Sequence, residues 1–286
     1  MNITELFNQK RTVFSLEIFP PKKSSSIDTI YDTVEQLSTL QPDFISVTYG
    51  AGGNLADNST CEIAAKIKDE FHIEPLAHLT CVNSSYGEVT EMINRLQNAG
   101  IENVLALRGD INPQITPKED FKHANELVIA LQRQSRLNIV GACYPEGHYQ
   151  SESLEADIQN LKYKIGAGAS LLITQLFFDN NLFYSYVKKV RAAGITVPIS
   201  AGIMPIVSKR QIERTVALSG SSLPHSFTAM ISKYENDPEG LFEAGIDFAA
   251  HQIIDLVQHN VQGIHLYTMN NPSVAKAVYK KTEQYL

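Results

Sequence analysis

Eight short runs of apolar and β-branched residues punctuate the chain, and between them apolar positions recur every three or four residues. The runs lie at 13–19 (VFSLEIF), 43–49 (DFISVTY), 75–81 (PLAHLTC), 103–108 (NVLALR), 138–144 (NIVGACY), 170–176 (SLLITQL), 197–203 (VPISAGI) and 263–268 (GIHLYT). Helical periodicity fills 27–40, 58–71, 86–99, 120–135, 152–167, 180–194, 208–218 and 238–260, with a last stretch at 272–285. Several of these helices run into a glycine before the next strand, as in NAGIENV, GAGASLL and AAGITV. Near-continuous apolar strands fit a parallel sheet buried on both faces. Eight strand–helix units predict an α/β fold, a (β/α)8 or TIM barrel, in a single domain spanning residues 1–286. An open doubly wound sheet shares the alternation and is the other candidate. Segment 219–237 reads as an insertion between the seventh helix and the eighth strand.

Composition narrows the partners. The 286 residues are 43% hydrophobic and 19% charged, with a net charge of -7 and no basic block, which argues against nucleic acid or an anionic membrane. The N-terminal stretch MNITELFNQKRTVF lacks the apolar core of a signal peptide, and no apolar run reaches the length of a membrane span. Cys61, Cys81 and Cys143 are scattered and odd in number, which suggests reduced thiols and a cytoplasmic location.

Catalytic groups of such barrels sit at the C-terminal ends of the strands. Those ends carry Glu17, Thr48 and Tyr49, His78, Arg108 with Asp110, Tyr144 with Glu146 and His148, Gln175, and Tyr267. A near-complete polar ring above strand middles of Val, Ile, Leu and Ala favours a site over ordinary polar loops. Glu17 is the odd member, a carboxylate inside the apolar run SLEIFPP. A buried carboxylate without a partner costs several kcal/mol or takes up a proton. It serves either as an acid or base, or as half of a structural bridge to Arg108. His78 and Cys81 look like a metal pair, but three residues apart in a strand they point to opposite faces. GAGGNL at 50–55 and GAGASL at 166–171 have leucine at the third glycine position, which disfavours a Rossmann-type site. In the fifth helix Leu154, Ile158, Leu161 and Ile165 form an apolar stripe. Beside it Asp157, Asn160 and Lys164 form a polar row. That row is either a solvated flank or the lining of a groove suited to a ribose and a phosphate.

The segments SLEIFPPK, FISVTYGAGG, PLAHLTC, LALRGD, CYPEGH, ITQLFFD, GIMP and LYTMN resemble, in this order, the blocks of the methylenetetrahydrofolate reductases, from residue 13 onward. The resemblance implies a flavoenzyme on a (β/α)8 barrel. A hydride passes from NAD(P)H by way of FAD to 5,10-methylenetetrahydrofolate, with ping-pong kinetics, giving 5-methyltetrahydrofolate. Glu17 falls on the family's general acid, which opens the methylene bridge to a reactive iminium, and an apolar pocket suits a carboxyl that must keep a proton. Asp110 falls on an aspartate beside the flavin that also contacts folate. Gln175 matches a glutamine serving both substrates in turn, Gln211 one that helps bind folate, and Thr48 a nicotinamide-nucleotide contact. Tyr49, Ala51, His78, Arg108, Gly109, Asp110, Ala124, Tyr144, His148, Asp157, Asn160 and Lys164 fall on FAD-contacting positions, and Tyr267 and Asn271 on the folate side. Two positions depart from the pattern. Tyr163 stands where members often carry an arginine beside the FAD, and Asn271 replaces an arginine associated with folate. The chain ends with its last barrel helix, so no S-adenosylmethionine regulation through a C-terminal extension is expected; family habit implies a homo-oligomer. A non-redox folate-binding barrel, such as a methyltetrahydrofolate methyltransferase, is the alternative, since it shares the folate groups and needs no flavin.

Overall fold

A computed structural model describes residues 1–21, 26–49, 59–110, 118–219 and 221–286. The strands are β1 (Val13–Ile18), β2 (Phe44–Val47), β3 (Glu74–Thr80), β4 (Asn103–Leu107), β5 (Asn138–Cys143), β6 (Leu171–Thr174), β7 (Ile199–Ile203) and β8 (Gly263–Tyr267). They close into a barrel in sequence order, β1 pairing with both β2 and β8, and all pairings are parallel. The open-sheet alternative is thereby excluded. The helices are α1 (Leu6–Gln9), α2 (Asp28–Ser38), α3 (Ser59–Phe71), α4 (Tyr86–Asn98), α5 (Ala124–Gln134), α6 (Leu154–Gly166), α7 (Asn180–Ala192), α8 (Lys209–Ser219), α9 (His225–Lys233), α10 (Pro238–Gln258) and α11 (Pro272–Thr282). Gly100 and Gly194, just past α4 and α7, adopt φ of 69° and 84°, the left-handed turn that ends a helix cheaply only at glycine.

Each strand has two different jobs, because successive side chains alternate between faces. In β1, Phe14, Leu16 and Ile18 face outward into the large core shared with the helices. Val13 faces inward, into an apolar layer with Phe44, Leu76, Leu105, Val140, Leu171 and Ile173. Ser15 and Glu17 continue that inward row above the layer. A strand that looks uniformly apolar in sequence therefore delivers a carboxyl to the barrel interior.

Two elements were not read from the sequence. The N-terminal segment closes the barrel bottom: Ile3 and Leu6 join the inner layer, and the Ile3 N–H donates to Asn103 Oδ1 at 3.0 Å. The insertion at 219–237 contains α9, whose buried Phe227 packs with Leu176, Phe178 and Ile206 beside the upper rim. Nine residues with one fully buried position give too little periodicity to stand out.

Candidate functional site

Period two also explains what meets Glu17. Register pairs Ser15 with His265 and Glu17 with both Ser46 and Tyr267, so the inward residues of β8, β1 and β2 lie side by side. Glu17 Oε2 lies 3.2 Å from His265 Nε2 and 3.4 Å from His78 Nε2. Each imidazole has a serine partner: His265 Nδ1 meets Ser15 Oγ at 2.8 Å, and His78 Nε2 meets Ser46 Oγ at 2.6 Å. Burial holds His78 down to about 4, against the opposing pull of the Glu17 carboxyl, so its ring is neutral at ordinary pH. The carboxyl therefore does not sit in an apolar pocket, as the sequence suggested, but under a polar cap of two imidazoles.

The structural bridge to Arg108 does not form. The Arg108 guanidinium turns outward, donating through Nε to the Gly109 carbonyl at 3.2 Å and through a terminal nitrogen to Gln150. Gly109, at φ 86°, adopts the left-handed conformation that favours glycine, and a Cβ there would press on Thr80 Cβ at 3.0 Å.

On the β4–β6 side of the mouth lie two cavities that share Tyr144, His148 and Ser151. The first, about 350 Å³, is bounded by Arg108, Ala124, Tyr144, His148, Asp157, Asn160 and Lys164, with exposed Tyr163 on its rim. The polar row of α6 thus lines a cavity, with Asp157 and Lys164 half-buried and Asn160 exposed at its edge. Lys164 reaches across β5, where its Nζ donates to the Ala142 carbonyl at 2.7 Å. Gly141 makes this path possible: a Cβ there would stand 2.8 Å from Lys164 Cδ. Burial pulls the Lys164 ammonium below the usual lysine range. An ammonium has three donors and among the described residues this one spends a single donor on the carbonyl, so the other two suit an anionic ligand. Asp157 accepts from Ser151 Oγ at 3.0 Å, and the Tyr144 ring meets His148 edge-on at 4.8 Å between centroids. Burial pushes the Tyr144 hydroxyl up to about 12, and lowers His148.

The second cavity, about 370 Å³, is lined by Asp110, Tyr144, Glu146, His148, Gln175 and Ser221 among others. Asp110 is exposed at this edge. The backbone N–H of Gln175 donates to the Cys143 carbonyl at 2.8 Å, and its side-chain carbonyl accepts from the Leu176 N–H at 2.9 Å. Tyr267 crosses from β8 above Gly202 to donate to the Thr174 carbonyl at 2.7 Å, and a Cβ on Gly202 would stand 2.7 Å from its ring.

Other expected residues lie elsewhere. Thr48 and Tyr49 sit half-buried at the end of β2 and line neither cavity, nor does His78. Ala51 lies outside the described residues. Gln211 is apart from both cavities, in the first turn of α8, its side-chain carbonyl accepting from the Val207 N–H just before the helix at 2.9 Å. Asn271 is exposed and is the N-cap of α11, accepting from the Val274 N–H at 3.3 Å and from Ser273 Oγ at 2.7 Å. An Asn-Pro pair is a strong helix start, which gives Asn271 a structural role at the head of α11. The sequence reading missed His265, Ser15 and Ser46. Their signal lies one step deeper than the strand ends, as inward polar residues two positions before Glu17, Tyr267 and Thr48.

The family model for methylenetetrahydrofolate reductase matches residues 2–283. The chain is 35% identical over 270 residues to a 5,10-methylenetetrahydrofolate reductase of Pectobacterium carotovorum, covering 94% of this chain and 90% of that protein. To the Escherichia coli 5,10-methylenetetrahydrofolate reductase it is 33% identical over 264 residues, covering 92% and 88%. With methylenetetrahydrofolate reductase 1 of Schizosaccharomyces pombe it shares 33% identity over 279 residues, 46% of that longer protein. A solved Clostridium thermocellum structure, described as an uncharacterized protein that binds two copies of 5-methyl-5,6,7,8-tetrahydrofolic acid, superposes with a TM-score of 0.69. It covers 99% of this chain and 100% of its own at 14% identity, and so speaks for the fold alone. The chain belongs to the methylenetetrahydrofolate reductase family, whose enzymes reduce methylenetetrahydrofolate.

Proposed function

We propose that the chain reduces 5,10-methylenetetrahydrofolate to 5-methyltetrahydrofolate with FAD as its cofactor and NAD(P)H as the reductant. The observation that carries this reading is the first cavity, whose wall unites seven of the residues that resemblance assigns to FAD, with the Lys164 ammonium laid over Gly141 as an anion seat. Bound there, the flavin would supply the hydride chemistry of the reaction.

The protein's own residues do the rest. Lys164, Asn160 and Asp157 hold the diphosphate and ribose end. Arg108, Tyr144 and His148 shape the wall toward the strand ends. Asp110 and Gln175 border the adjoining cavity, where the two substrates bind in turn. Glu17 gives a proton to the leaving nitrogen as the methylene bridge opens: the carbon–nitrogen bond breaks, its electrons go to nitrogen, and an iminium carbon is left to accept hydride.

Replacing Glu17 by Gln tests the assignment. Flavin reduction by NAD(P)H needs no such proton and should hold near the wild-type rate. Folate reduction should fall by roughly a hundredfold or more. Stopped-flow traces slowed equally in both halves would remove Glu17 as the acid. A purified protein without a yellow flavin spectrum would favour instead a non-redox folate barrel.

A further inference from the structure

Two of the exposed aromatic rings are covered by a neighbour: Tyr86 lies 4.5 Å from Phe121 and Tyr149 stacks 4.7 Å from His148, centroid to centroid. Tyr163 is 60% exposed, and among the described residues no ring or cation covers its faces. It stands on the rim of the first cavity. Asn160 is three positions before it and four before Lys164, so both residues neighbour the same amide on the α6 surface. Lys164 turns inward to the Ala142 carbonyl, so this wall runs from a cation at depth to a bare ring at the rim. The start of α5 lines the same cavity. There the Glu126 carboxylate accepts from the His123 N–H at 3.1 Å and fixes the first turn. The half-buried Asn125 amide beside it has no hydrogen-bond partner among the described residues.

The order of these groups follows the order of parts in a purine nucleoside diphosphate. A phosphate held by Lys164 lays the sugar along Asn160 and brings the base to the rim, where Tyr163 offers an uncovered π-face. Stacking on a tyrosine holds any flat base, because every base has a π-face of its own. Identity has to come from the base edge. A carboxamide carries one acceptor and two donors, and adenine presents an amino donor beside a ring-nitrogen acceptor, which an asparagine meets with two hydrogen bonds. Guanine has a carbonyl where adenine has the amine, so the same amide is left facing two acceptors and one bond goes unmade.

We propose that Tyr163 and Asn125 form an adenine seat at the outer end of the first cavity, Tyr163 stacking on the purine and Asn125 reading its amino edge. This rests on FAD being the cofactor: the seat takes its adenosine end, while the flavin lies toward the strand ends. Neither residue touches the reacting atoms. They position the cofactor and select it, so a flavin nucleotide without a base gains nothing from them, and one with the wrong base gains the stack alone.

The test titrates flavin-free protein with FAD, FMN and riboflavin, and then displaces FAD with ADP or GDP. Tyr163→Ala should weaken FAD and ADP by roughly tenfold or more, the scale of one lost base stack, and leave FMN and riboflavin within about twofold of wild type. Tyr163→Phe keeps the ring and should hold FAD near the wild-type affinity. The wild-type protein should favour ADP over GDP by about tenfold, and Asn125→Ala should bring the two together. The adenine preference is measured on the wild-type protein, independently of how any variant folds. An unchanged FAD affinity in Tyr163→Ala, or equal losses for FAD and FMN, overturns the stack. Wild-type protein that binds ADP and GDP alike overturns the reading of the base by Asn125. If neither FAD nor riboflavin binds the wild-type protein, the cofactor assignment itself has failed; if both bind and the variants change nothing, only the adenine seat has.

Discussion

Lys164 offers a prediction in which stability and binding should separate. Replacing it by methionine keeps the stem over Gly141 and removes the ammonium. The folded protein loses one charged hydrogen bond, to the Ala142 carbonyl at 2.7 Å, worth about 1.5–3 kcal/mol. It also sheds the cost of desolvating a cation, a cost visible in the lowered lysine ionisation and discounted because the side chain is only half-buried. The two oppose each other, so the apoprotein should stay within about 2 kcal/mol of wild type in urea unfolding. Binding has no such compensation. If the ammonium seats a phosphate of FAD, its loss removes a charge-assisted contact and should weaken FAD by roughly ten- to a hundredfold. Fluorescence titration of apoprotein measures this, with riboflavin as the control because it lacks phosphates and adenosine. A companion variant, Gly141→Ala, should displace the same amine by pushing on Cδ from 2.8 Å, while keeping the charge. An unchanged FAD affinity in Lys164→Met, or an equal loss for riboflavin, would refute the anion-seat reasoning.

Three further outcomes are expected. Gly245→Ala in α10 gains about 1 kcal/mol of helix propensity, but its Cβ would stand 1.9 Å from the Ile206 carbonyl oxygen, so the urea midpoint should fall, by a net of about 2 kcal/mol or more; a rise would refute the close approach. Because burial holds His78 at about 4, the unfolded chain binds a proton below its ordinary 6.5 that the folded chain refuses, so stability should drop as pH falls from 6.5 toward 4, by roughly 3 kcal/mol at most. His78→Gln should flatten that part of the stability–pH curve, and an unaltered slope would assign the loss elsewhere. Asp110→Asn should raise the flavin potential by about 20 mV or less, since an exposed carboxylate acts through water on the reduced, more negative cofactor; redox titration giving an equal or lower potential would exclude this role.

The barrel was legible in sequence because its two signals are local. Strand runs of four to seven residues and helices of about three turns announce themselves by periodicity, and glycines such as Gly100 and Gly194 mark where a helix must stop. The polar ring at the strand ends was legible for the same reason, and so was the α6 row of Asp157, Asn160 and Lys164. Tertiary structure decided which polar residues meet. Nothing local says that Glu17 turns to His265, 248 residues away, instead of to Arg108, because that depends on barrel closure between β1 and β8 and on register. Gln211 and Asn271 bond backbone near their own helix starts, and only the tertiary structure places them apart from the two cavities. The α6 row stood open in sequence between a solvated flank and a groove lining, and only the tertiary structure shows Lys164 crossing β5 over Gly141. Sequence determines what each segment can form and which groups it presents; closure of the barrel fixes the distances between them, and at a polar site those distances set the chemistry.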